Sequence, residues 1–130
     1  MKILILDDDD TRHTTYDMRY AGHDVFHTYN YIAFTDELHS EFQWDLIHLD
    51  HDLGDLMSGD TYEDGWGITR EYNGVHATNR ICELPDGFIP KKVIIQSINP
   101  HGSRVMMNLL ERRGIPTEWR PFTKFEGELR

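Results

Sequence analysis

Three short apolar runs constrain this chain more than anything else in it: KILIL at 2–6, LIHL at 46–49 and VII at 93–95. Each is bounded by polar or turn residues. Runs of that length, apolar on both alternating faces, belong to strands covered on both sides, which means central strands of a parallel sheet. Weaker strand signals lie at 23–27 and 117–120. Segments of helical length separate them. One spans 11–21 and stops at Gly22. A second spans 31–42, with Ile32, Leu38 and Phe42 on a rough helical period. A third spans 75–84 and stops before Pro85, and a fourth spans 103–113 and stops at Gly114 with Pro116 beyond it. Glycine just past a helix and proline after it are stop signals. Strands alternating with helices build βαβ units with right-handed crossovers, so the expected fold is α/β, a three-layer sandwich around a five-stranded parallel sheet.

The 130 residues suit one domain, residues 1–130, with a core of its own. A single cysteine, Cys82, excludes an internal disulfide and a cysteine-rich zinc site. The opening MKILILDDDD is too short an apolar run for a signal sequence or a membrane span, so a cytoplasmic protein without a membrane partner is expected. Thirteen basic against 23 acidic residues give a net charge of −10. That balance disfavours long nucleic acids, whose phosphates are gripped through a surplus of Lys and Arg. Small anionic ligands stay open to it if a cation offsets the charge locally.

Chemistry gathers where strands end. Asp7, Asp8, Asp9 and Asp10 follow the first run, and Asp50 and Asp52 follow the third strand. If both strands are central and parallel, the two groups meet at one edge of the sheet, where α/β folds bind ligands. Two carboxylates ~4 Å apart repel by about 4 kcal/mol at an effective dielectric near 20. Such a cluster takes up protons or a cation, and oxygen ligands suit Mg²⁺ or Mn²⁺. The competing reading of the DDDD run is helix N-capping. His48 and His51 flank Asp50, and His101 follows the fourth strand, which offers mixed ligation or acid–base work near neutral pH. After that strand, Ser97 and Asn99 are candidate donors to phosphate oxygens, with His101, Gly102 and Ser103 at a helix N-terminus that favours anions. Arg120, before Pro121 and Phe122, is a candidate bidentate phosphate ligand. The stretch 54–73, with four glycines, five acidic residues, Tyr62 and Trp66, has no clear period; it is expected to be a long loop, either a solvated surface insertion or, as its aromatics suggest, a lid.

These strand-end motifs resemble the receiver domains of response regulators. LILDDDD resembles their acidic pair, on Asp7 and Asp8 with Asp9 as a further choice, and LIHLDHDLG resembles the strand carrying the phospho-acceptor, which would be Asp50. The resemblance implies sheet order 2-1-3-4-5, a metal contact from position 52 through its carbonyl, and Ser97 as the hydroxyl residue. It places Arg120 where receivers carry lysine. That exchange, the HLDHDLG run and the Ser97–Gly102 turn together resemble a family of stand-alone cyclic-phosphate-processing receiver domains. Only nine residues follow Pro121, too few for the final receiver helix, so a homodimer partner is one candidate cover for the sheet.

Three functions follow as expectations. The first is a metal-dependent phosphoesterase acting on a cyclic phosphate or a small nucleotide phosphate ester. In it Asp7, Asp8, Asp50 and Asp52 hold Mg²⁺ or Mn²⁺, Asp50, His51, His101 and Ser97 carry the chemistry, and Asn99, Gly102, Ser103 and Arg120 bind substrate. The second is a signalling receiver phosphorylated on Asp50. The third is a non-enzymatic binder of a nucleotide or a protein.

Overall fold

The computed structural model describes residues 1–40, 43–53 and 61–120. The strands are β1 (Lys2–Leu6), β2 (Asp24–Thr28), β3 (Leu46–Leu49), β4 (Thr61–Glu63), β5 (Thr69–Glu71), β6 (Val93–Gln96) and β7 (Thr117–Arg120). The helices are α1 (Asp10–Arg19), α2 (Tyr31–Leu38), α3 (Gly74–Cys82) and α4 (Pro100–Arg112). Five strands form one parallel sheet in the order β2-β1-β3-β6-β7. This is the expected order, since β6 and β7 are the fourth and fifth strands of that sheet.

Strand alternation splits the core in two. Leu4, Leu6, Ile47, Leu49, Val93 and Ile95 face Phe34, Leu38, Ala77, Ile81, Met106 and Leu110 of α2, α3 and α4. Ile3, Ile5, Leu46 and Ile94 face the other way, toward Tyr16 of α1. The sheet is therefore covered on both faces, which is why its central strands carry no polar alternation. Each fully buried Leu or Ile contributes about 1.5–3 kcal/mol.

Element boundaries moved for local reasons. Helix α1 starts at Asp10 because the Asp9 carboxylate accepts from the Thr11 and Arg12 amides, so N-capping and clustering are both true of the DDDD run. Gly22, at φ 87°, and the His23 amide bonded to Tyr20 O close a turn, so β2 begins at Asp24, whose amide donates to Met1 O. Helix α2 ends at Leu38, where Ser40 satisfies the Glu37 carbonyl. Helix α4 starts three residues earlier than expected. Asn99 accepts from the Gly102 amide and Pro100 occupies the first turn, where its missing N–H costs nothing.

The expected featureless loop at 54–73 is corrected in part. Strands β4 and β5 pair antiparallel into a small ribbon, whose turn is held by the Asp64 carboxylate accepting from the Trp66 and Ile68 amides. Tyr62 packs on Tyr72, which stacks on Tyr31 at 4.0 Å, and the Tyr62 and His76 rings meet at 5.2 Å. The ribbon is thereby docked on α2 and α3, while Trp66 at its turn is 89% exposed. The signal was the aromatic content, hidden because each strand is only three residues long. Residues 54–60 of the expected lid lie outside the described residues, as do residues 121–130, on which the shortened C-terminus rests. No helix among the described residues is long and apolar enough to cross a membrane.

Candidate functional site

The sheet itself brings the acidic groups together. Leu6 pairs with Leu49, so the next residues, Asp7 and Asp50, emerge side by side. Their amides make the last rungs: Asp50 N–H donates to Leu6 O (2.9 Å), and Asp7 N–H donates to Thr28 O (3.1 Å). Asp7 and Asp50 are buried, at 1% and 5% exposure, whereas Asp8 is open to solvent. Each of the three offers a carboxylate oxygen, and these oxygens lie within 4.8 Å of one another. Burial and the neighbouring Asp7 charge push Asp50 up to about 8. Burial and Asp7 also raise Asp8. The three-carboxylate donor set, still holding excess negative charge, fits a hard divalent cation such as Mg²⁺ or Mn²⁺.

Arg12 is the residue that sequence reasoning missed. One turn into α1, its Nε donates to Asp7 Oδ2 and its Nη2 to Asp7 Oδ1, both at 2.8 Å. The same Nη2 donates to Asp50 Oδ2 at 3.1 Å. The Asp8 and Asp9 carboxylates stand 3.5 Å from its guanidinium. The contact with Asp7 holds Arg12 still more firmly protonated, against the opposing effect of burial. The available signal was spacing, since a helix starting at Asp10 puts residue 12 above the end of β1. Asp7 is fixed further by Tyr16 O–H (3.2 Å), by the Asp9 amide (2.9 Å) and by His13 Nε2–H donating to its carbonyl (2.7 Å).

A second group completes the edge. His51 lies against the first turn of α4. A Cβ built on Gly102 would sit 2.3–2.7 Å from His51 ring atoms, so glycine is required by the imidazole's close approach. His51 Nδ1 faces Asp52 Oδ1 at 3.0 Å and Asn99 Nδ2 at 3.3 Å. The carboxylate demands a proton on Nδ1 and the amide donor demands a lone pair, so the two contacts belong to different placements of the ring proton. Asn99 is itself aligned by its bond from Gly102 N–H (2.9 Å), and the Asn99 amide donates to Ser97 Oγ (3.1 Å). Gly74 opens α3 against the same edge, its N–H donating to His51 O at 2.8 Å.

Asp7, Asp8, Asp50, His51, Asn99 and Gly102 are thus assembled at one edge, with buried Ser97 bonded to Asn99. Others are elsewhere. The Asp52 carboxylate is 64% exposed and turned to His51, outside the acidic cluster; the metal role implied for position 52 runs through its carbonyl, which that orientation does not affect. His101 is exposed in the first turn of α4. Ser103 is fully buried, because the early start of α4 turns it toward the core, and its Oγ has no hydrogen-bond partner among the described residues. Arg120 pairs with Glu118 and lines, with Arg19, Lys91 and Lys92, a cavity of about 570 Å³ that also touches the starts of β3 and β6. It is directed away from the acidic cluster. His48 is buried beneath Tyr16 and bonded to Tyr20 O–H, and burial lowers it to about 3, so it stays neutral.

Comparison with known proteins decides the family. Residues 2–112 match the cyclic-phosphate processing receiver domain. The chain belongs to that family. Solved structures similar to it include response-regulator proteins and receiver domains. A response regulator from Burkholderia pseudomallei, described with a phosphorylated aspartic acid, a calcium ion and citrate, is 13% identical with a TM-score of 0.62, covering 98% of this chain and 63% of that one. A CheY-like receiver domain from Methanospirillum hungatei is 19% identical with a TM-score of 0.60, covering 94% and 82%. The N-terminal domain of a response regulator/sensory box/GGDEF protein from Carboxydothermus hydrogenoformans is 16% identical with a TM-score of 0.60, covering 99% and 86%. At these identities the likeness establishes the receiver fold alone. No curated protein matches significantly.

Proposed function

We propose that this receiver domain is a metal-dependent phosphoesterase that opens a cyclic phosphate or a small nucleotide phosphate ester. The observation that carries the reading is the imidazole of His51 seated on Gly102, beside the Asp7–Asp8–Asp50 cluster. A divalent ion held by those carboxylates would supply charge neutralisation at the phosphoryl oxygens. The chain supplies the rest. The N-terminus of α4 presents the positive end of its dipole to an anion. His51 Nδ1 accepts from Asn99 when it carries the lone pair and faces Asp52 when it carries the ring proton. As water attacks phosphorus and the P–O bond to the ribose oxygen breaks, His51 takes the water's proton and returns it to that oxygen, which ring opening keeps tethered nearby. His101 is a second proton donor within the same turn.

A second reading has its own support. Asp50 lies where receivers carry their phospho-acceptor, one hydrogen-bonded step from β1. The direction of Arg120 weighs against it, since no basic residue from β7 then reads a phosphoryl group on Asp50.

The deciding experiment is product analysis after incubation with 2′,3′-cyclic and 3′,5′-cyclic nucleotides plus Mn²⁺, with Asp50→Asn and His51→Ala alongside. Conversion by the parent and by neither variant supports the phosphoesterase, and the product isomer tells which bond breaks. Intact substrate, with mass gained from acetyl phosphate at Asp50, supports signalling. Intact substrate with ligand-induced stabilisation supports a binder. Gly102→Ala is expected to cost about 100-fold in turnover, because displacing His51 by about 1 Å spoils the geometry of proton transfer. Unchanged turnover would remove His51 from the chemistry.

A further inference from the structure

The guanidinium of Arg12 occupies the oxygens that a divalent ion would need. It takes both oxygens of Asp7 and one of Asp50, from two different strands. It is three-quarters shielded from water, and Asp9 holds it from the helix side. A carboxylate oxygen in a strong charge-assisted bond to arginine is a poorer metal ligand, and a fixed positive charge a few ångströms away repels a second cation. One guanidinium faces four carboxylates, Asp7, Asp8, Asp9 and Asp50, so it does not neutralise the cluster.

We propose that Arg12 is the resident counter-cation of the acidic cluster and exchanges with the divalent ion. It holds Asp7 and Asp50 together in the metal-free protein, gives them up when the ion binds, and is then taken up by the phosphate of the ligand. Its planar fork matches a phosphate as well as a carboxylate, and it projects from the first turns of α1, at the same sheet edge. Metal and phosphate ester therefore bind with positive coupling, since each relieves what the other disturbs. This makes Arg12 a residue that couples metal and phosphate binding. It rests on the metal reading above.

The test is Mg²⁺ binding by calorimetry, for the parent, Arg12→Gln and Arg12→Lys, with and without methyl phosphate. Arg12→Gln is expected to bind Mg²⁺ about tenfold tighter than the parent when phosphate is absent, because a competing charge is gone. Methyl phosphate is expected to tighten Mg²⁺ binding to the parent and to lose most of that effect in Arg12→Gln. Arg12→Lys, which keeps a charge without the fork, falls between them and serves if the glutamine variant does not fold. Equal or weaker Mg²⁺ binding by the variants would overturn the proposal and reduce Arg12 to a structural staple, visible as a lower melting temperature alone. So would an absence of coupling in the parent. Failure of every protein to bind Mg²⁺ would instead bring down the metal reading itself, and this inference with it.

Discussion

Gly74→Ala is expected to destabilise the protein by about 3 kcal/mol, the upper end of the usual overpacking cost. The new methyl would lie 2.4 Å from the Asp50 carbonyl oxygen, 2.8 Å from Met106 Cε and 2.9 Å from His51 Cα. The methionine can move, but the backbone atoms cannot. Asp50 is pinned by the hydrogen bond its N–H donates to the Leu6 carbonyl, and Gly74 donates its own N–H to the His51 carbonyl. Relief must come from lifting the start of α3 away from the end of β3, which would undo the packing of Ala77 and Ile81 on the sheet. For a domain of this size the melting temperature should fall by roughly 10 °C. Calorimetric melting checks this, and an unchanged transition would mean that α3 does not dock on Asp50. Gly102→Ala makes the contrast. There the clash is with a side chain that can rotate, so stability suffers less and chemistry more.

Asp50→Asn is expected to stabilise the metal-free protein, by several kcal/mol near pH 8, and to abolish stabilisation by Mg²⁺. Asp50 is raised from 3.8 to about 8, so across that range the folded protein holds a proton that the unfolded chain has released. Stability then falls as pH rises, and the cost is complete above about 8. The amide variant carries no such cost, and its oxygen still accepts from Arg12. Its advantage over the parent therefore grows with pH. The parent's own decline is cleanest between pH 6.5 and 8. Below that, buried His48 acts oppositely: its folded value is lowered from 6.5 to about 3, so its contribution grows as pH rises through this lower range. Millimolar Mg²⁺ should raise the parent's melting temperature at pH 8 and leave the variant unmoved. Melting curves at three pH values, with and without the ion, decide it. A parent and variant that keep a constant difference at all pH values would show that Asp50 does not titrate under this strain.

The sheet was legible because its central strands are buried on both faces, and burial on both faces leaves an uninterrupted apolar run. KILIL, LIHL and VII could be little else, and the acidic residues directly after the first two had to share an edge once those strands were parallel neighbours. Helix ends were less legible. Asp9 and Asn99 act as caps through one or two hydrogen bonds each, and the sequence offers several residues able to do the same. The ribbon escaped notice because three-residue strands have no measurable period, and it is anchored by Tyr72 stacking on Tyr31 of a distant helix, with Tyr62 packed on Tyr72.

The sequence by itself determined that strands would order a cluster of carboxylates, with histidine beside it, at one edge of an α/β sheet. Hydrophobic periodicity is local, and it carries that much. Only the tertiary structure decided which charges meet. Arg120 held the position that the resemblance assigns to a lysine, yet it turns to Glu118, while Arg12 enters the cluster from α1. Side-chain partners depend on the direction and phase of elements far apart in the chain. A guanidinium goes to the deepest unbalanced negative charge within its reach, and that charge exists only after β1 and β3 have paired.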